Sequence, residues 1–168
     1  MDDKTISYHI AVAEVLRNIL RKLQSRGATV ATAESCTGGL VATMLTELPG
    51  SSAVFVGGIS AYANGVKISM LGVDPSDLEK FGAVSAEVAR AMAAGVRDRL
   101  GATYAVALTG IAGPDGGSPD KPVGTVYCGI ASPFGEVATR LTLSGDRAAI
   151  RRTAAESALQ LLADAIKD

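Results

Sequence analysis

Ser35 stands in the stretch Ala31-Thr32-Ala33-Glu34-Ser35-Cys36-Thr37-Gly38-Gly39-Leu40. Before it, residues 28–33 read as a buried strand. After it, residues 40–48 read as an amphipathic helix. A serine at such a turn sits beside N–H groups that lack helical partners, near the positive end of the helix dipole. The turn can hold an anion or stabilise an oxyanion that forms on a substrate. Ser35 or Thr37 can equally be a plain N-cap. Gly38 and Gly39 favour the ligand-binding reading, because they let a ligand approach the backbone closely.

A second polar stretch, Ser60-Ala61-Tyr62-Ala63-Asn64-Gly65-Val66-Lys67, follows the next strand. Tyr62 and Lys67 lie five positions apart across a loop-to-helix boundary. The chain has 1 histidine, His9 in the first helix, and a His-based triad would have to recruit it from there. The general base of an enzyme is then a Lys, Asp, Glu or Tyr. A lysine serves if burial or neighbouring positive charge lowers its pKa. Ser35 and Lys67, with Tyr62 as proton relay, make a nucleophile and base; the plain alternative is a solvated lysine and a half-buried aromatic. Cys36 is the rival nucleophile, a thiol being the better one at neutral pH.

A third stretch, Thr109-Gly110-Ile111-Ala112-Gly113-Pro114-Asp115-Gly116-Gly117-Ser118, has neither the dinucleotide-binding glycine pattern nor a P-loop lysine. It reads as a long loop, residues 109–122, that is costly to order unless it binds something. Further on, Ser144-Gly145-Asp146-Arg147 opens the last helix, with Asp146 as its N-cap. Arg147 in the first turn opposes the helix dipole, which a bound phosphate would compensate. Arg151 and Arg152 lie close by.

Elements that must position these residues can be read from periodicity. Apolar residues at helical spacing over 6–26 (Val12, Val15, Leu16, Ile19, Leu20, Leu23), closed by Gly27, give a first helix. Strands are expected at 29–33, 53–60, 103–108, 123–131 and 136–143, the last two joined by a tight turn at Ser132-Pro133-Phe134-Gly135. Helices are expected at 37–47, 63–71, 75–80, 85–100 and 146–167. Ser85 caps the long helix and Gly101 follows its end. Interleaved strands and helices predict a layered α/β domain, and the late hairpin makes its sheet mixed. Ligands gather at the carboxyl ends of strands in such sheets, so the three polar stretches are expected to share one cleft.

Composition narrows the function. The 168 residues fit a single domain, 1–168, and with 48% apolar residues disorder is not expected. A net charge of −1 without a basic tract argues against nucleic acid, and the 4% aromatic content against base stacking. No apolar run reaches the ~18 residues of a membrane span. The acidic N-terminus is not a signal peptide, and two separated cysteines fit a reducing cytoplasm. Neither they nor a lone histidine make a zinc site. Alanine-rich helices fit a homodimer.

Several of these stretches together resemble the C-terminal domain of the CinA family, the nicotinamide-nucleotide amidases, in its stand-alone form. The matching motifs are residues 32–39 (TAESCTGG), Tyr62-Ala63-Asn64-Gly65-Val66-Lys67, Gly82-Ala83-Val84-Ser85-Ala86-Glu87-Val88-Ala89, Thr109-Gly110-Ile111-Ala112-Gly113-Pro114 with Lys121-Pro122-Val123-Gly124, and Gly145-Asp146-Arg147. The resemblance implies a three-layer α/β/α fold and hydrolysis of the carboxamide of nicotinamide mononucleotide, with no metal or cofactor. Ser35 is then the nucleophile and Lys67 the base, Tyr62 assists proton transfer, and Thr109 lies in the active site. Gly38, Gly39, Asn64, Gly110 and Gly113 surround the substrate, with Arg147 at its phosphate. A catalytically silent nucleotide-binding or regulatory module of the same fold is the alternative.

Overall fold

The computed structural model describes residues 3–166, with side chains from residue 11 onward. His9 is among the residues whose side chains lie outside that description, as does the end of the expected last helix at Lys167. In chain order the elements are α1 (Asp3–Ser25), β1 (Val30–Glu34), α2 (Leu40–Thr46), a 3-10 turn (Ser51–Ala53), β2 (Phe55–Ser60), α3 (Asn64–Leu71), α4 (Pro75–Phe81), α5 (Ala86–Leu100), β3 (Tyr104–Gly110), β4 (Thr125–Ser132), β5 (Gly135–Thr142) and α6 (Arg147–Ala165).

The five strands form one mixed sheet in the order β2-β1-β3-β4-β5. β1 runs parallel to both β2 and β3, and β4 is antiparallel to β3 and β5. Two apolar layers cover the sheet. On one face Val30, Val106, Leu108, Val126 and Ile130 pack with Leu16, Ile19 and Leu23 of α1, Val41 and Leu45 of α2, and Ile150 and Leu159 of α6. On the other, the strands present mostly alanine, Ala31, Ala33, Ala105, Ala107 and Ala131, to Val88, Met92 and Val96 of α5 and Leu71 of α3. Large side chains on one face and small ones on the other follow from the two-residue period of a strand. The alanine face lets α5 lie close to the sheet. α3 is close to α5 in turn, because a Cβ on Gly95 would collide with the Leu71 carbonyl. That contact holds the C-terminal end of α3, the helix that carries Lys67, against α5.

The α/β layering and the mixed sheet are as expected from the sequence; besides later starts of β2 at Phe55, after the 3-10 turn, and of β4 at Thr125, three corrections bear on the site. Helix α2 begins at Leu40, three residues later than expected, because Gly38 and Gly39 take φ of 64° and 109°, outside the right-handed helical region. β1 extends to Glu34, so Glu34 is a strand residue. β3 continues through Thr109 and Gly110, which pair with Tyr127 and Val126 of β4 instead of opening the loop. The antiparallel partner supplies hydrogen bonds that no local signal announces. Among the described residues no helix is long and apolar enough to cross a membrane.

Candidate active site

In this strand order the connections from β1 and to β3 depart on opposite faces, and the crevice opens at the carboxyl ends of β1 and β3. Ser35 follows β1 and Thr109 is the last residue but one of β3. A cleft of about 200 Å³ lies there, lined by Ser35, Cys36, Tyr62, Asn64, Lys67, Ala83, Val84, Thr109, Gly110, Ala112 and Arg147. It gathers seven of the ten site residues expected from the sequence. Gly38, Gly39 and Gly113 are not on its wall.

Lys67 is 1% exposed. Its ammonium nitrogen lies 3.2 Å from Ser35 Oγ, 2.9 Å from the Ala61 carbonyl and 2.8 Å from the Tyr62 carbonyl. A carbonyl only accepts, so two Nζ hydrogens are committed to Ala61 and Tyr62. The third position faces Ser35. In the neutral amine it holds the lone pair, aimed where it can take the serine proton. All three partners are neutral oxygens, so no opposite charge offsets the desolvation of an ammonium. Burial accordingly lowers the Lys67 pKa from its ordinary 10.5, with Cys36 opposing the shift.

Ser35 is 8% exposed and anchored by its N–H to the Leu108 carbonyl at 3.0 Å. Neither Ser35 nor Thr37 caps α2. The Thr37 hydroxyl is fully buried with no hydrogen-bond partner among the described residues. The cap is Glu34, a residue sequence reasoning passed over. Its carboxylate accepts from the N–H groups of Gly39 (2.9 Å), Val41 (3.2 Å) and Ala42 (2.9 Å). The anion expected at this helix start is therefore the protein's own. The sequence signal was present: an acidic residue just before a glycine-bearing turn into a helix.

Tyr62 gives Lys67 its carbonyl, not its phenol. The side chain is 65% exposed, and its hydroxyl lies 3.4 Å from an Arg147 guanidinium nitrogen. Arg147 also donates to the Gly113 carbonyl at 2.8 Å, placing Gly113 at the rim. Thr109, 1% exposed, donates its hydroxyl to the Ala83 carbonyl at 2.7 Å. The three arginines separate cleanly. Arg147 faces the cleft. Arg151 donates to the Cys36 carbonyl (3.1 Å) and the Thr37 carbonyl (2.8 Å), bracing the Ser35 turn from behind, beside Gly38. Arg152 lines a different hollow, with Thr43, Glu47 and Glu156. Cys36 reaches the cleft wall, but burial pushes its thiol up to about 11, with the Glu34 charge adding to the rise against the neighbouring N–H groups and Arg151. A thiol held protonated is a poor nucleophile.

The sequence matches the profile of the CinA C-terminal domain over residues 12–166. It is 54% identical over 136 residues to a CinA-like protein of Synechocystis sp., covering 81% of this chain and 32% of that protein. A CinA-like protein of Frankia casuarinae is 56% identical over 144 residues, covering 86% and 33%. The chain thus spans about a third of the length of these relatives. Among solved structures, the competence/damage inducible protein CihA from Agrobacterium tumefaciens superposes with TM-score 0.89 at 43% identity, covering 94% of this chain and 96% of that one. A CinA superfamily protein from Escherichia coli superposes with TM-score 0.86 at 30% identity, covering 90% and 89%.

Proposed function

Since this chain belongs to the CinA C-terminal domain family, we propose that its cleft hydrolyses the carboxamide of nicotinamide mononucleotide to nicotinic acid mononucleotide and ammonia. The observation that carries the reaction type is the buried contact of 3.2 Å between Lys67 Nζ and Ser35 Oγ. The substrate is the one implied by the five motifs the chain shares with nicotinamide-nucleotide amidases. The cleft has a volume of about 200 Å³. That is below the ~300–1,000 Å³ which encloses a drug-sized ligand, so a pyridine carboxamide fits at the base with the sugar phosphate leading out past Arg147.

In the proposed reaction Ser35 Oγ attacks the carboxamide carbon while Lys67 takes the serine proton. The C–N bond then breaks, the proton passes from Lys67 to the departing nitrogen, and ammonia leaves an acyl-serine. Water, deprotonated by the same lysine, attacks the ester and releases the acid. Tyr62 sits beside Arg147 and toward solvent, which suits contact with the nucleotide at least as well as proton relay. Thr109 holds the 83–84 wall of the cleft through the Ala83 carbonyl.

Ammonia release from nicotinamide mononucleotide by the purified protein tests the reading. Binding of the nucleotide without ammonia would favour the silent module instead. Sedimentation of the same sample tests the expected homodimer. Cys36→Ala is expected to keep kcat within about threefold, under ~1 kcal/mol on the barrier scale. A kcat lost in that variant, in a protein whose activity thiol alkylation also destroys, would transfer the nucleophile to sulfur. Arg147→Ala is expected to weaken nucleotide binding tenfold or more, since charge-assisted contacts to phosphate contribute ~1.5–3 kcal/mol. Hydrolysis of free nicotinamide, which has no phosphate, should change little. Equal loss on both substrates would assign Arg147 to holding the 113 loop.

A further inference from the structure

We infer that Glu34 is a positioning residue for the Ser35–Lys67 pair, its carboxylate fixing the turn that carries the serine and its carbonyl fixing the segment that holds the lysine. The inference rests on the Ser–Lys reading above and adds to it a residue that touches neither substrate nor reacting atoms.

The carboxylate is 2% exposed, and the three groups on it are all N–H donors of Gly39, Val41 and Ala42. Two acceptor-only oxygens suit that set, and no neutral side chain of the same length does. A turn containing two glycines is otherwise free to sample many conformations. Here both ends of the turn are closed. Glu34 holds its N–H end, and Arg151 from α6 holds the carbonyls of Cys36 and Thr37. The backbone of Glu34 reaches the other partner. Its carbonyl accepts the Ala61 N–H at 2.8 Å, and the Ala61 carbonyl in turn accepts from Lys67 Nζ at 2.9 Å. One residue therefore stands next to the serine in sequence and one hydrogen bond away from the lysine's own anchor. Displacement of about 1 Å between a nucleophile and its base is enough to cost on the order of a hundredfold in rate.

Glu34→Gln keeps the shape and puts an amide NH2 where an oxygen met an N–H. Three readouts are compared with the wild-type protein: thermal unfolding, kcat and KM for ammonia release, and the rate at which a fluorophosphonate labels Ser35. In the labelling step the Ser35 Oγ–P bond forms, the P–F bond breaks with loss of fluoride, and the serine proton goes to Lys67. The expected result is a cooperative melt, kcat and labelling rate falling together by about thirtyfold or more, and KM within about threefold. Glu34→Asp keeps the charge but stops a methylene short. It is the second variant should the first not fold, with the same split and a smaller loss expected. Labelling and kcat within threefold of wild type in either folded variant would overturn the inference. So would KM rising in step with the fall in kcat, or loss of fold in both variants, which would assign Glu34 to the fold alone. Wild-type protein that is labelled at Ser35 but releases no ammonia would remove only the amide substrate, and the labelling rates would still decide Glu34. Wild-type protein that is neither labelled nor active would remove the Ser–Lys reading and this inference with it.

Discussion

Ser35→Ala is expected to lower kcat by a thousandfold or more, about 4 kcal/mol of barrier, while nucleotide binding stays measurable by calorimetry. The substitution removes only the oxygen. The turn around it keeps its anchors, because the Ser35 N–H to Leu108 bond, the Glu34 cap and the Arg151 brace all involve other atoms. Substrate should therefore still find its cleft. Lys67 would lose one of three partners and keep the carbonyls of Ala61 and Tyr62. A variant retaining more than about a tenth of wild-type kcat, a loss below ~1.4 kcal/mol, would mean that Ser35 is not the attacking group.

Lys67→Arg is the second large effect. Arginine keeps a long basic side chain, but a guanidinium stays protonated at any working pH and cannot accept the serine proton. A loss of about 10²–10⁴ in kcat is expected, the usual contribution of a positioned base. Circular dichroism should show a folded protein, so that the loss is chemical. An active arginine variant would remove the lysine from the mechanism. The wild-type pH profile carries the same information. Burial lowers the Lys67 pKa, and the working form is the neutral amine, so kcat should rise with pH along a limb set by that lowered value. A profile with no rising limb below the ordinary 10.5 would contradict the role.

The stability linkage has a definite sign. Between the lowered folded pKa and the ordinary 10.5, the unfolded chain binds the extra proton, so this site's contribution to stability increases with pH across that window. Below the folded pKa the cost of burying the ammonium is present in full. Unfolding midpoints measured across the window in wild type and Lys67→Met should therefore diverge in their pH slope, the wild type gaining with pH and the variant lacking that gain.

Much of the candidate site was legible one residue at a time. A serine at a strand-to-helix turn, a lysine where histidine is lacking, and polar, glycine-bearing segments after three strands are local patterns. The rule that ligands gather at strand carboxyl ends joins them without coordinates. Periodicity likewise gave the helices, because a buried stripe repeats along the chain wherever the element packs. Element ends were less legible. Thr109 and Gly110 looked like loop because their partners, Tyr127 and Val126, are distant in sequence. The start of α2 was misplaced because a positive φ at Gly38 and Gly39 cannot be distinguished by composition from tolerated glycine within a helix.

The sequence by itself thus determined the residue types available for chemistry, the α/β alternation, and the placement of candidate groups at strand ends. These follow from side-chain chemistry and from periods of two and 3.6 residues, both written locally. Tertiary structure alone decided which candidates meet. It brought Lys67 of α3 to Ser35 just after β1 and buried it, which no spacing along the chain could state. It sorted three neighbouring arginines into one facing the cleft, one bracing the turn and one elsewhere: Arg147 and Arg151 share a helix face but lie one turn apart and so meet different loops, while Arg152 points off that face. It also revealed Glu34 as an internal anion, since a buried carboxylate is tolerable only where several donors converge on it, and that convergence exists only once β1 and α2 are folded together.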